Sequence, residues 1–165
     1  MRYKAFYISK DEPLEQRLGR TAFDIGKGVI TPINADDFHS ALTLAHLNEP
    51  DGHKLHSVQT DFEDFPELTI TNLGGMTPVQ GEGTIAGMPF YFRARGQRYT
   101  FSVASTPDGD PLEAWGGRDT AGYHVQHPYG DEEFAAGFMD LDVAEGFIRE
   151  CARAYMSHPE EVAPS

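Results

Sequence analysis

The run MPFYFRARGQRYTFSVA, from Met88 to Ala104, sets the architecture of this 165-residue chain. Phe90, Phe92 and Ala94 alternate with Tyr91, Arg93 and Arg95. After Gly96-Gln97, Tyr99, Phe101 and Val103 alternate with Arg98, Thr100 and Ser102. Successive side chains of a strand point to opposite faces, so each half reads as a strand with one apolar face. A two-residue turn at Gly96-Gln97 pairs Arg95 with Arg98 and Phe92 with Phe101. In that register every apolar residue falls on one face and Tyr91, Arg93, Arg95, Arg98, Thr100 and Ser102 on the other. A slip of one residue would mix the two sets.

On either side the chain punctuates itself into short elements. Residues 2–9 mix aromatic and charged side chains and read as a strand, without the apolar core of a signal peptide. Residues 10–32 are glycine-rich, with one helical turn expected around Leu14–Leu18. Asn34 stands where a helix N-cap would, with Asp36 and Asp37 in the first turn. Phe38, Ala41, Leu42 and Ala45 follow at helical spacing, and Pro50 ends the element. Extended runs are expected at 54–60 and 67–73, a turn at Gly74-Gly75 and Pro78, and a strand at Tyr123–His127. Between them lies a polar connection from Pro107 to Gly122. Over 142–156, Ala144, Phe147, Ile148, Cys151 and Tyr155 form the apolar stripe of a helix, opened by a capping box of Asp142 and Glu145. The pattern predicts an α+β fold, a mostly antiparallel sheet with two main helices packed on one face. One domain is expected over residues 1–158, with a disordered tail at 159–165.

Charge narrows the function classes. The chain carries 13 Lys and Arg against 26 Asp and Glu, a formal −13. That balance disfavours nucleic-acid binding through phosphate contacts and docking on anionic membranes. No apolar run is long enough to span a bilayer. The single cysteine, Cys151, excludes an internal disulfide and fits a reducing compartment, so the cytoplasm is expected.

No catalytic constellation, metal site or cofactor motif is expected. His53 and His56, like His124 and His127, are three apart on strands and point to opposite faces. His39 and His46 belong to the solvent side of a helix. Cys151 sits mid-helix on the apolar stripe and reads as packing. Gly26-Lys27-Gly28 lacks P-loop spacing, no Gly-x-Ser-x-Gly elbow occurs, and the paired carboxylates are unremarkable among 26 acids.

Two regions remain as candidate sites. Arg93, Arg95 and Arg98, beside Tyr91, would hold a carboxylate or phosphate in guanidinium forks, with Tyr91 stacking on a planar ligand. The competing reading has these arginines paired with the protein's own carboxylates. The second region is acidic. Residues 107–146 contain ten Asp and Glu against the single base Arg118, and Asp61, Glu63, Asp64 and Glu67 bracket Phe62 and Phe65. Asp61, Glu63, Asp64, Asp108, Asp110, Glu113, Asp131, Glu132 and Glu133 would form a face for a basic partner, with Trp115 as an aromatic anchor. Trp115 reads equally as a lid folded onto the core, and the acids as a solvated face that aids solubility.

The leading expectation is therefore a small acidic, non-enzymatic binding protein docking on a basic partner, in an inhibitor, immunity-type or anti-defence role. The alternatives are a small-anion-binding protein or enzyme using the arginine face, with His124 or His127 as further members, and an assembly subunit associating through a sheet edge.

Overall fold

A computed structural model describes residues 2–11 and 28–157. The expected turn at Leu14–Leu18, the glycines before residue 28 and the tail at 159–165 lie outside the described residues. The architecture is α+β, and the chain divides into two compact units, Met1–Asp64 and Phe65–Ser165.

The first unit holds a three-stranded antiparallel sheet, with β1 (Arg2–Ser9) between β2 (Val29–Asn34) and β3 (His53–Thr60). Tyr3, Ala5, Phe6, Tyr7 and Ile8 are all buried, as suits a central strand. Helix α1 (Phe38–Leu47) packs on this sheet. Phe38 meets Tyr3 edge to face at 5.9 Å, and the Tyr7 hydroxyl donates to the Ala45 carbonyl at 2.7 Å. Its cap is Asp37, whose extended backbone lets Oδ1 accept from the Ser40 amide at 2.7 Å. This corrects the cap expected at Asn34, which instead pairs with Arg2 as the last residue of β2.

The second unit is a five-stranded antiparallel meander. Its strands β4 (Leu68–Gly74), β5 (Val79–Ile85), β6 (Met88–Arg95), β7 (Arg98–Val103) and β8 (Tyr123–Pro128) lie in chain order. The β6–β7 hairpin has the expected register, with Phe92 opposite Phe101 and Arg95 opposite Arg98. Helix α2 (Pro111–Trp115) lies between β7 and β8, and a 3-10 turn (Ala135–Phe138) precedes helix α3 (Leu141–Ser157).

The apolar face of this sheet packs under α3. Tyr99 stacks on Phe147 with centroids 4.4 Å apart, Phe90 stacks on Phe101 at 5.2 Å, and Tyr155 meets Tyr123 edge-on. At Gly81 a methyl group would lie 2.9 Å from Cδ1 of Ile148, so the helix approaches β5 over a residue without a side chain. Glu145, expected on the polar side of this helix as part of a capping box, is buried. The helix starts one residue earlier than expected, with the Ala144 amide donating to the Asp140 carbonyl.

The single sheet expected from the sequence is thus two sheets. The two long helices divide between them, α1 on the first and α3 on the second.

Candidate functional site

The opposite face of the five-stranded sheet is only partly open. Tyr91, Thr100 and Ser102, expected to face solvent, are buried. Above them runs the connection from β7 to β8. Asp110 caps α2 by accepting from the Leu112 amide at 2.9 Å, and Pro111 occupies the first turn, where its missing N–H costs nothing. Asp119 closes the connection onto itself: its carboxylate accepts from the Ser105 and Gly122 amides at 3.0 and 3.1 Å. The Ser105 side chain, together with those amides, holds its carboxyl below the usual carboxylate range. The connection therefore places Trp115, at the end of α2, against the sheet.

Trp115 meets Arg93. The guanidinium carbon lies 5.4 Å from the indole centroid, a cation–π distance. Arg93 is half-buried, and its Nε is shielded from solvent without a hydrogen-bond partner. Two residues further along the strands, Arg95 and Arg98 lie directly opposite each other and are exposed. Like charges in that position repel. Among the described residues, no carboxylate lies within 4.0 Å of Arg93, Arg95 or Arg98. In the first unit, by contrast, Arg2 and Lys4 pair with Asp61, and Arg2 with Glu63.

These side chains line one cavity of about 750 Å³, walled by Arg93, Arg95, Arg98, Thr100, Trp115 and Gln126. The hairpin turn and Pro128 complete it, and no acid among the described residues lines it. The hairpin tip is held by main-chain bonds. The Tyr129 amide donates to the Gln97 carbonyl at 2.7 Å and the Ala136 amide to the Gly96 carbonyl at 2.9 Å. The Gln97 side-chain amide donates to the Asp131 carbonyl at 2.7 Å. Asp131, Glu132 and Glu133 thus lie on the segment that straps the tip, bound to it through backbone groups.

Other candidate residues fall elsewhere. The Tyr91 hydroxyl donates to Oε1 of Gln80 at 2.8 Å, and Tyr91 lines a separate recess of about 260 Å³ with Glu82 and Asp110. Burial and Glu82 push its hydroxyl pKa up against the opposing pull of Arg93. His124 shares the arginine-bearing face, with Nδ1 at 2.8 Å from Oγ of Ser102, and burial lowers its pKa. His127 lies on the other face, 5.2 Å from the Tyr99 ring. Cys151 is buried and its thiol is pushed up to about 12, chiefly by desolvation.

The expected acidic residues divide between the two units. Asp61 and Glu63 pair with β1 of the first unit, and Phe62 and Phe65 are buried. Asp64 ends the first unit, while Asp108, Asp110, Glu113, Asp131, Glu132 and Glu133 belong to the second. Asp108, Glu113 and the 131–133 trio are exposed. Among the described residues, no three of His, Cys, Asp and Glu converge as a metal site would need.

The meeting of Trp115 with Arg93 is the relation that sequence reasoning missed. Asp110-Pro111, a cap followed by proline, is the local signal for the short helix that brings them together. No family model, no curated protein and no solved structure matches this chain.

Proposed function

We propose that the protein binds a small organic anion in the cavity at the tip of the β6–β7 hairpin. One observation carries the reading. In a chain of net charge −13, three guanidiniums share a cavity that, among the described residues, has no acid in its walls and no carboxylate paired with them. Uncompensated like charge at Arg95 and Arg98 costs stability, and a bound anion would offset that cost. Guanidinium forks suit the paired oxygens of a phosphate or carboxylate.

The role is binding rather than catalysis. Ser102, the one hydroxyl beside a histidine on this face, is fully buried and not open to a substrate.

Calorimetric titration with pyrophosphate and with citrate tests the reading. Saturable binding that weakens with added salt is expected. An Arg95→Ala/Arg98→Ala variant should lose about tenfold or more in affinity, since hydrogen bonds to charged groups are worth roughly 1.5–3 kcal/mol each. Absence of saturable binding by either anion would refute it.

A second reading rests on a different surface. The Thr77 amide donates to the Gly137 carbonyl at 2.8 Å, which seats Met76 beside the turn flanked by Phe134 and Phe138. All three are more than half exposed, and Asp131, Glu132, Glu133 and Asp140 flank the two phenylalanines in sequence. An apolar patch with acidic neighbours suits a basic protein partner. Phe134→Ser/Phe138→Ser should abolish such an association, and Glu132→Lys/Glu133→Lys should remove its salt dependence. Association unchanged by both variants would exclude this surface.

A further inference from the structure

The cavity is larger than an inorganic anion needs, and its walls are not uniformly cationic. Its volume, about 750 Å³, falls within the range of pockets that enclose whole organic ligands. Trp115, the chain's single tryptophan, stands at its margin and is 41% exposed. Arg93 lies over the indole ring, and the exposed remainder of the ring offers a stacking platform. The Gln126 amide lines the same space and makes no hydrogen bond to a described residue, so it is available to the edge of a heterocycle. Arg95 and Arg98 lie two residues along the strands from Arg93 and Thr100, roughly 7 Å at the ordinary strand rise. A flat ring on Trp115 and an anionic group on the Arg95–Arg98 pair would therefore be separated by the span of a sugar.

From this placement we infer that the ligand is a nucleoside monophosphate, its base stacked on Trp115 and its phosphate held by Arg95 and Arg98. The inference rests on the anion-binding reading above and adds the ring to it. The charge of the chain argues for a mononucleotide over a polynucleotide, because every further phosphate would meet an acidic surround.

The lone tryptophan makes intrinsic fluorescence a reporter of this one site. The full chain is titrated with AMP, ribose 5-phosphate, adenosine, inorganic phosphate and a single-stranded oligonucleotide of about ten residues. AMP should quench the emission and bind roughly 5- to 100-fold more tightly than ribose 5-phosphate, the range expected for one stacked base. By calorimetry, Trp115→Leu should bring that ratio close to one, while Trp115→Phe should retain most of it. Thermal melts of both variants establish that they are folded, and the Phe variant serves if the Leu variant is not. Equal affinity for AMP and ribose 5-phosphate would overturn the inference and leave the anion reading standing. No binding of any phosphate compound would overturn the inference, and failure of citrate to bind as well would overturn the anion reading with it; tighter binding of the oligonucleotide than of AMP would replace the mononucleotide with a polymer.

Discussion

Beneath α3, Phe92 and Phe101 are completely buried and Tyr99 stacks on Phe147 at 4.4 Å. On the other side of the same two strands, Arg93 rests against Trp115 while Arg95 and Arg98 face solvent across from each other. One alternating sequence writes both surfaces, because neighbouring residues on a strand project in opposite directions. The first surface gains from burying apolar area and from ring contacts. The second carries a repulsive charge pair that opposes folding. Stability and the proposed recognition thus fall on interleaved positions of a single hairpin, and substitutions at adjacent residues should separate them.

The largest effect belongs to the packed face. Phe92→Ala should cost about 3–5 kcal/mol, read from denaturant unfolding, because it opens a cavity under α3. A loss below about 1 kcal/mol would break the comparison by showing that this face does not hold the unit together. Next comes Gly83→Ala. A methyl group there would lie 1.9 Å from the Thr69 carbonyl oxygen, which is backbone and has little room to yield. About 1–3 kcal/mol should be lost, with weakened protection of the β4–β5 amides in hydrogen exchange.

On the open side, Asp119→Ala removes the acceptor for two loop amides and should cost roughly 1 kcal/mol, partial solvent exposure keeping the effect small. The Asp119 carboxyl titrates lower when folded than its ordinary value of 3.8. Its contribution is therefore complete above pH 3.8 and is lost as pH falls through the folded value. His124 is also depressed, from 6.5, so its contribution fades as pH drops below that value. Melting temperatures followed from pH 7 downward should decline in both windows, and Asp119→Ala should flatten only the lower one.

A smaller change, of opposite sign, separates the faces most sharply. Arg98→Glu should raise stability by about 0.2–1 kcal/mol, replacing a repulsive cross-strand pair with an attractive one, while abolishing anion binding. Destabilisation together with retained binding would undo the division proposed here. The smallest effect is chemical. With its thiol pushed up to about 12, Cys151 should resist alkylation at pH 8 in the folded protein and react at the normal rate once unfolded.

The hairpin was legible in the sequence because both of its strands alternate without interruption and its turn is two residues long. Helix α3 was legible from its stripe. Strand β5 was not: VQGEGTI carries two glycines, which ordinarily weaken a strand. They are there because α3 and β4 approach too closely for a side chain at Gly81 and Gly83. Strand β2 was hidden by Pro32, which an edge strand tolerates. The arginines of the candidate site were legible as a charged stripe. That no described carboxylate pairs with them was not, because in so acidic a chain pairing depends on where each acid is carried. Trp115 depends on a helix of five residues, too short to show any period.

The strap across the hairpin tip has a consequence for how such a site changes over time. Gly96 and Gln97 are gripped by the amides of Ala136 and Tyr129, and by the Asp131 carbonyl, none of which depends on a side chain of the strap. Asp131, Glu132 and Glu133 can therefore be exchanged for neutral or basic residues while the grip persists. Each exchange would retune the field around Arg95 and Arg98. For the proposed anion site, the strap would let selection adjust ligand preference by single charge substitutions, without rebuilding the scaffold.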